Sequence, residues 1–333
     1  MATPSKAAHA SGRSSGAAVI TSRENRWLKE FRLALRGGLP TESGYVGVEG
    51  VRLVEEALRS ACPVKAVLFS ETGERHHERL APLIDRPEIA IPILRTTDHL
   101  FEGVADTEHP QGVAALVKPR AASFDDLLRT PEAACSPLLV VLAGVQDPGN
   151  VGTILRTASA YGATGAVTAA SGQSGTASPF SPKALRASAG AALHLPILAG
   201  MSLPILLTQF RVANVRTLAA SAHEATKVAG ERFSLPADAG ASQSERERES
   251  SPSQLGEIAP PLAPWEVNWC EPVALLVGNE GAGLPEEVER SADARIRIPM
   301  ASGVESLNAA AAAAVLFYEA ARQRSAQRKD RNQ

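Results

Sequence analysis

The sequence predicts an α/β protein with two domains in which strands and helices alternate. Its length of 333 residues is enough for two separate hydrophobic cores. Short apolar runs alternate with helical patterns in two series, one on each side of a linker-like segment. In the second series, two buried-strand patterns run directly into glycine-rich loops, which predicts a ligand crevice at the carboxyl ends of parallel strands.

The composition is typical of a globular protein. Hydrophobic residues make up 44% of the chain and charged residues 21%, and the formal net charge is −2. This charge gives no global field that attracts nucleic acid, so any basic surface must be local. Cys62, Cys135 and Cys270 are far apart and form no Cys-x-x-Cys pair, so neither a disulfide framework nor a metal site is expected. No apolar run could span a bilayer and no signal peptide is recognisable, which predicts a cytoplasmic protein.

The first series of elements is predicted to form a small domain at 22–118. Residues 1–21 are rich in Ala, Ser and Gly and are predicted to be disordered. Apolar residues then recur at helical spacing over 23–36, with Arg and Lys on the other face, which predicts a helix. Its apolar positions are Trp27, Phe31, Ala34 and Leu35. The strand and helix patterns that follow lie at 45–48, 50–59, 64–69, 91–94 and 112–117.

A second domain is predicted at 137–325, after a linker at 119–136 that carries one short helix. Its strand candidates lie at 138–143, 165–169, 193–198, 215–220, 273–277 and 296–299. Residues 230–264 are rich in Ser, Glu, Arg and Pro, and are predicted to be a disordered insertion because they offer little apolar surface to bury. Residues 326–333 are predicted to be a basic tail.

The loop after the strand at 138–143 does not fit a nucleotide-phosphate motif. Gly144 and Gly149 have the spacing of a phosphate-binding loop, but Asn150–Val151 stands where Lys-Ser/Thr is needed. In the helix that follows, one arc is apolar and is predicted to face the sheet. Its members are Val151, Ile154, Leu155, Ala158 and Tyr161. Arg156 lies on the opposite arc with Asn150, Thr153 and Thr157, where position alone favours a solvated surface arginine.

Two further segments carry site signals. In the first, Gly278, Gly281 and Gly283 follow a buried strand and permit close backbone approach, while Asn279 and Glu280 supply polar groups. Taken alone, this segment fits a tight turn equally well. The second segment runs from Ile298 to Asn308, where Ser306 is a candidate N-cap for an alanine-rich helix.

Together the three segments resemble the sequence motifs of the SpoU-type (TrmH family) RNA 2′-O-ribose methyltransferases of the SPOUT superfamily. The matching residues are 147–158, 278–284, 298–300 and 306–308, and 179–191 resembles the segment between the first two motifs. Residues 25–118 are similar to the N-terminal substrate-binding domain of the family, which resembles a ribosomal-protein RNA-binding fold. The resemblance implies a C-terminal domain with a parallel sheet and a trefoil knot, and a homodimer.

The resemblance also implies S-adenosylmethionine as the cofactor and assigns roles to residues of the three motifs. The implied cofactor-binding residues are Gly278, Asn279, Glu280, Gly281, Ile298, Met300, Ser306, Leu307 and Asn308. The implied catalytic residues are Arg156, Asn150 and Glu280. Because arginine stays protonated in proteins, we favour Arg156 stabilising the developing alkoxide or gripping a phosphate, with the proton acceptor unassigned. Asn150 would orient Arg156 or the ribose, and Glu280 would hold its loop or a polar group of the substrate.

RNA is the expected partner, with ribosomal RNA favoured by the ribosomal-protein-like domain. The candidate RNA-binding residues are Arg23, Arg26, Lys29, Arg32 and Arg186. A transfer-RNA methyltransferase is the alternative, kept open by the basic cluster at 322–331. A non-catalytic RNA-binding protein of the same fold is disfavoured, because all polar motif residues are present.

Overall fold

We describe the fold from a computed structural model, which describes residues 18–86, 89–130, 135–170, 175–221, 260–301 and 306–331. Its first elements are β1 (Ala18–Ile20), α1 (Arg26–Ala34), β2 (Val46–Glu49), α2 (Val51–Arg59), β3 (Val64–Ser70), α3 (His77–Ile84), β4 (Asp85–Arg86), β5 (Ile89–Ala90), β6 (Ile93–Thr96), α4 (Asp98–Glu102) and β7 (Val113–Val117). The later elements are α5 (Phe124–Leu128), β8 (Leu138–Ala143), α6 (Pro148–Ala160), β9 (Gly165–Ala169), α7 (Pro182–Ala187), β10 (Ile197–Met201), α8 (Leu203–Val212), β11 (Arg216–Ala220), β12 (Val273–Val277), α9 (Glu286–Ser291), β13 (Ala294–Ile296) and α10 (Ala309–Arg331).

The chain divides into two compact units, residues 1–121 with 179–194, and residues 122–178 with 195–333. The first unit holds a mixed sheet and the second an all-parallel sheet, which confirms the predicted α/β class. Residues 179–194 group with the first unit, whereas the sequence placed them inside the second domain. The domain boundaries and the trefoil knot stay predictions. No described helix is long and apolar enough to cross a membrane.

The first sheet has the strand order β1-β6-β3-β7-β2, in which β7 runs antiparallel to β2 and β3. Helix α1 buries Leu28, Phe31 and Ala34 in the core of this unit. Each large side chain buried in this way contributes about 1.5–3 kcal/mol. The predicted position Trp27 is only partly buried, because Leu28 takes its place on the inner face.

The predicted disorder of residues 1–21 is wrong at its end, since β1 pairs in parallel with β6 over Ala18–Ile20. Ile20 is buried in the core, so its apolar side chain offsets the cost of ordering this short edge strand. Residues 1–17 lie outside the described part of the chain.

The second sheet has the strand order β10-β9-β8-β12-β11-β13. Strands β8 and β12 are neighbours and pair in register from Leu138–Val273 to Leu142–Val277. Every residue of both strands is buried, as the continuous apolar runs predict. Because the two parallel strands end at the same level, the loops that follow them begin side by side.

Helix α6 follows β8 and begins at an Asp147 N-cap with Pro148 in its first turn. The predicted apolar arc is confirmed for four of its members, which are fully buried: Val151, Ile154, Leu155 and Ala158. The prediction is wrong for Tyr161, which lies after the last helical residue and is 37% exposed. Its ring instead contacts Tyr318 of α10, with centroids 6.1 Å apart.

The short helix predicted within the linker is confirmed as α5, whose Leu127 is buried in the core of the second unit. Two other segments predicted to be irregular are partly structured. The predicted insertion ends earlier than 264, because the Leu262 amide donates to the Arg295 carbonyl at 2.9 Å; residues 222–259 lie outside the described residues. The predicted basic tail is a continuation of α10 as far as Arg331.

Arg324 attaches the C-terminal half of α10 to the residues that precede β8 and β12. Its guanidinium donates to four backbone carbonyl oxygens, those of Ser136, Pro137, Trp269 and Glu271, at 2.5–3.1 Å. Burial lowers the pKa of Arg324, but arginine stays charged in proteins. These charge-assisted bonds hold the segments that enter β8 and β12 side by side.

Candidate active site

A cavity of about 450 Å³ lies at the carboxyl edge of the second sheet. It is enclosed by the residues that end or follow β11, β12 and β13 and by the first turns of α10. Eight of the nine residues with an implied cofactor role line it: Gly278, Asn279, Glu280, Gly281, Ile298, Met300, Ser306 and Leu307. Its volume lies within the range of about 300–1,000 Å³ that small-ligand sites occupy.

Sequence reasoning missed several lining residues. They are Ala220, Ser221, Ile296, Arg297, Ala309, Ala312 and Leu316. Ala220 ends β11 and Ser221 follows it; β11 lies between β12 and β13, and this strand order is not readable from the sequence. The alanines belong to the predicted helix, and their small side chains leave room for a ligand against α10. A strand end is itself a signal for a ligand crevice, and it could have drawn attention to Ala220.

The loop after β12 is a tight turn that its own backbone closes. The Asn279 amide donates to the Gly283 carbonyl and the Gly283 amide to the Asn279 carbonyl, both at 3.0 Å. Gly283 has φ +69°, and a Cβ at Gly278 would lie 2.4 Å from the Gly283 carbonyl carbon, so glycine is required at Gly278. The Asn279 side chain also donates to the Gly144 carbonyl at 2.9 Å, which ties this loop to the one after β8.

Glu280 connects the loop after β12 to the start of α6. Its carboxylate accepts from the backbone amides of Gln146 at 3.2 Å and Asp147 at 3.1 Å, and from Asn150 Nδ2 at 3.0 Å. Burial alone would raise the pKa of Glu280, but these hydrogen bonds outweigh it and lower the pKa below its ordinary value of 4.5. Glu280 is therefore an ionised acceptor at neutral pH.

The third motif joins the same network through Asn308. Its Nδ2 donates to Asn150 Oδ1 at 3.1 Å, so Glu280, Asn150 and Asn308 form one hydrogen-bonded chain. Its Oδ1 accepts from the Ala310 amide at 2.9 Å and caps α10. Asn308 is thus the cap that the sequence assigned to Ser306, and it does not line the cavity. Residues 302–305 lie outside the described residues.

Arg156 lies on α6, on the exposed arc that the sequence predicts for it. It is not among the residues that line the cavity. The same helix is joined to the cavity by Asn150, which donates to the lining residue Glu280.

The predicted RNA-binding residues lie in the first unit, and four of the five form a hydrogen bond or an ion pair with another group of the protein. Lys29 pairs with Glu24 at 2.6 Å and Arg186 with Asp106 at 2.7 Å. Arg32 Nε donates to the Gly103 carbonyl at 3.3 Å, and Arg23 contacts His99. The remaining residue, Arg26, is exposed and lies over the Trp27 ring.

Comparison with protein-family models gives two matches. Residues 137–318 match the SpoU rRNA methylase family, and residues 48–122 match the substrate-binding domain of RNA 2′-O-ribose methyltransferases. The first match covers most of the second unit and more than half of the chain.

Individual relatives extend over nearly the whole chain. An uncharacterized tRNA/rRNA methyltransferase of Mycolicibacterium gilvum is 32% identical over 83% of this chain and 76% of its own. A 23S rRNA (guanosine(2553)-2′-O)-methyltransferase of Bacillus subtilis is 28% identical over 90% of this chain and 97% of its own. Among solved structures, an AdoMet-bound rRNA methyltransferase from Sinorhizobium meliloti has a TM-score of 0.69 at 26% identity, covering 92% of this chain and 98% of its own.

We expect the Glu280 hydrogen bonds to add stability at neutral pH that is lost in acid. The folded pKa of Glu280 is lower than the unfolded value near 4.5, so its contribution is present above that value and disappears as the pH falls through the folded pKa. Urea unfolding of the wild type and Glu280→Gln should differ at pH 7 by less than about 1 kcal/mol, since the side chain is exposed. The difference should shrink below pH 4.5; a constant difference would contradict this assignment.

Proposed function

The chain belongs to the SpoU rRNA methylase family, and we propose that ribosomal RNA is the substrate of its 2′-O-ribose methyltransferase activity. The family match and the similar solved structures confirm the predicted enzyme class and the predicted methyl donor, S-adenosylmethionine. The observation that carries the choice of substrate is the first unit, which matches the substrate-binding model at 48–122.

Two relatives named for ribosomal RNA support this choice. The Bacillus subtilis and Sinorhizobium meliloti proteins each align over at least nine-tenths of this chain, which includes the first unit. The transfer-RNA alternative relied on the basic cluster at 322–331. In the structure Arg322 pairs with Glu319, Arg324 binds four carbonyls and Arg328 contacts Cys135. Three of the five basic residues of this cluster therefore contact other groups of the protein, which weakens the alternative.

Methyl transfer from labelled S-adenosylmethionine should distinguish the two substrates. We expect the purified full chain to label unmodified ribosomal RNA made by transcription, and to leave unmodified transfer RNA unlabelled under the same conditions. Alkaline hydrolysis should leave an uncleaved dinucleotide at the labelled position, because a methylated 2′-oxygen is unable to attack the phosphate. Label in transfer RNA alone would overturn the proposal and favour the alternative.

The cavity is the proposed cofactor site. Apolar side chains of Ile298, Met300 and Leu307 form walls suited to an adenine ring, and the glycine-rich backbone at 278–283 leaves its polar groups accessible to a ribose and an amino-acid group. S-adenosylmethionine supplies an electrophilic methyl group when bound. The residues present fit this group in size and chemistry.

We assign Glu280, Asn150 and Asn308 as positioning residues. Their hydrogen-bonded chain fixes the start of α6 relative to the cavity loop and to α10. Glu280 is ionised and already accepts three hydrogen bonds, which suits it to holding geometry rather than to removing a proton.

Arg156 is the proposed catalytic residue. The reaction turns a weakly acidic ribose 2′-hydroxyl into an ether oxygen, so negative charge develops on that oxygen before the methyl group arrives. A guanidinium on the exposed arc of α6 can stabilise this charge or hold the adjacent phosphate. It remains protonated, so another group or solvent accepts the proton.

Replacement of Arg156 by alanine should lower kcat about a hundredfold to a thousandfold, which corresponds to roughly 3–4 kcal/mol of transition-state stabilisation. The affinity for S-adenosylmethionine, measured by calorimetry, should stay unchanged because Arg156 does not line the cavity. The matched control is Arg211→Ala, which removes an exposed arginine from α8 in the same unit. An Arg156 variant with more than a tenth of wild-type kcat would remove this residue from the mechanism.

A homodimer is also proposed, and its interface is assigned to the packed pair α6 and α10. Val315 and Tyr318 on α10 are 42% and 57% exposed, and the Tyr161 ring beside them is 37% exposed. Large apolar side chains grouped on one surface are typical of protein–protein interfaces.

Light scattering of the wild type should therefore give about twice the chain mass of 34.9 kDa. Tyr318→Glu should shift the protein toward monomer, because it places a carboxylate in an apolar interface. Ile205→Glu is the matched control, since Ile205 is also 57% exposed but lies on α8. A monomeric wild type, or equal effects of both variants, would contradict the assigned interface.

A further inference from the structure

Cations and aromatic rings alternate at one end of the first sheet. Arg26, Trp27, Lys65, Tyr45 and Lys118 follow one another in space, and we name these five residues the cation–aromatic row. The Arg26 Cζ lies 5.6 Å from the centroid of Trp27, and Lys65 Nζ lies 5.5 Å from the same centroid. Lys65 Nζ is also 5.4 Å from the centroid of Tyr45, which Lys118 Nζ approaches to 5.9 Å.

The sheet brings these residues together from distant parts of the chain. Tyr45 directly precedes β2, Lys65 is the second residue of β3, and Lys118 directly follows β7. Strand β7 lies between β2 and β3, and Val117 pairs with both Val46 and Val64. The three strands therefore place Tyr45, Lys65 and Lys118 at the same end of the sheet, next to the first turn of α1.

The row carries net positive charge. In the part of the chain that the structure describes, Glu30 is the carboxylate that forms an ion pair with it, through Lys65 at 2.5 Å. The row thus contains three cations and is paired with one carboxylate, although the formal net charge of the whole protein is −2. The neighbouring cations Arg23, Lys29 and Arg32 contact other groups of the protein.

The two rings are also held in place. Trp27 and Tyr45 are partly buried and pack against the core of the first unit. A ring anchored on one side loses little conformational freedom when a ligand contacts its remaining surface.

We propose that the cation–aromatic row binds an unpaired stretch of the RNA substrate. This inference rests on the proposed function and adds a binding surface and a substrate feature to it. Aromatic rings interleaved with cations are typical of surfaces that bind single strands, where bases stack on rings and cations contact phosphates. Bases are available for stacking only where RNA is unpaired, so the row should prefer single-stranded RNA to a duplex.

Fluorescence anisotropy with the full chain tests the row without requiring methyl transfer. The probes are a labelled oligouridine of about 12 nucleotides, within the range that single-strand sites contact, and an RNA duplex of the same length. We expect the wild type to bind the single strand more tightly. Trp27→Leu should weaken that binding about tenfold, and Lys118→Gln should reduce the slope of log affinity against log salt by about 0.7.

The matched controls lie in the second unit. Trp265→Leu removes an aromatic ring that is 62% exposed, and Arg211→Gln removes an exposed cation. Both should leave oligouridine affinity and its salt slope unchanged. If Trp27→Leu and Lys118→Gln matched these controls, the row would serve only the stability of the first unit. Thermal unfolding of each variant detects misfolding, and Lys118→Gln, an exposed change, keeps the test valid if Trp27→Leu fails to fold.

Failure of the row and failure of the proposed function give different results. If wild type methylates ribosomal RNA and the row variants bind oligouridine normally, only the row is wrong. If wild type methylates no ribosomal RNA but loses oligouridine binding in Trp27→Leu, the row stands and the proposed substrate is wrong.

Discussion

Strands β8 and β12 pair residue by residue from Leu138–Val273 to Leu142–Val277, and this register decides where the chemistry can take place. Both strands are fully buried, so a slip of one residue would break the packing on both faces. Because the strands end together, Asn279 reaches the Gly144 carbonyl and Glu280 reaches the amides of Gln146 and Asp147. Arg324 holds the opposite ends of the same two strands, so the pair is fixed at both ends.

Under the proposed assignment, the methyl donor binds in the cavity and the acceptor contacts Arg156, which does not line it. The cavity is built from the loop after β12 and from α10, whereas Arg156 lies on α6 and outside the cavity lining. The chain of hydrogen bonds from Glu280 through Asn150 to Asn308 is the physical link between these two parts. These hydrogen bonds lie near the surface, so they stabilise the fold less than the buried strands do. Their main effect is to fix the position of α6 relative to the cavity loop and α10. Under this proposal, a small shift of α6 would change the rate much more than it changes the affinity for S-adenosylmethionine.

The sequence predicted best those features that a short continuous stretch determines. The bounds of β8, β9 and β12 agree with the predictions, and those of β8 and β12 do so because each buried apolar run lies between a Pro and a Gly. Eight implied cofactor residues meet in one cavity because three contiguous motifs supply them. The sequence did not predict features that depend on strand order, such as the position of Ser221 in the cavity lining. It also did not predict groups that come together from distant positions, such as Lys65 and Lys118 around Tyr45. Tyr161 was misplaced since helical periodicity does not show where the helix ends.

The charge distribution places a further constraint on how this enzyme binds RNA. With a net charge of −2 the protein has no general attraction for a polyanion, and several basic side chains near α1 already contact other groups of the protein. Affinity must then come from a few local phosphate contacts, each of which adds less than one unit to the salt dependence. Stacking on aromatic rings depends little on salt and requires unpaired bases. A surface that uses both phosphate contacts and stacking can therefore distinguish unpaired RNA from duplex RNA. An evenly basic surface on the same fold would distinguish them poorly, because both carry phosphates.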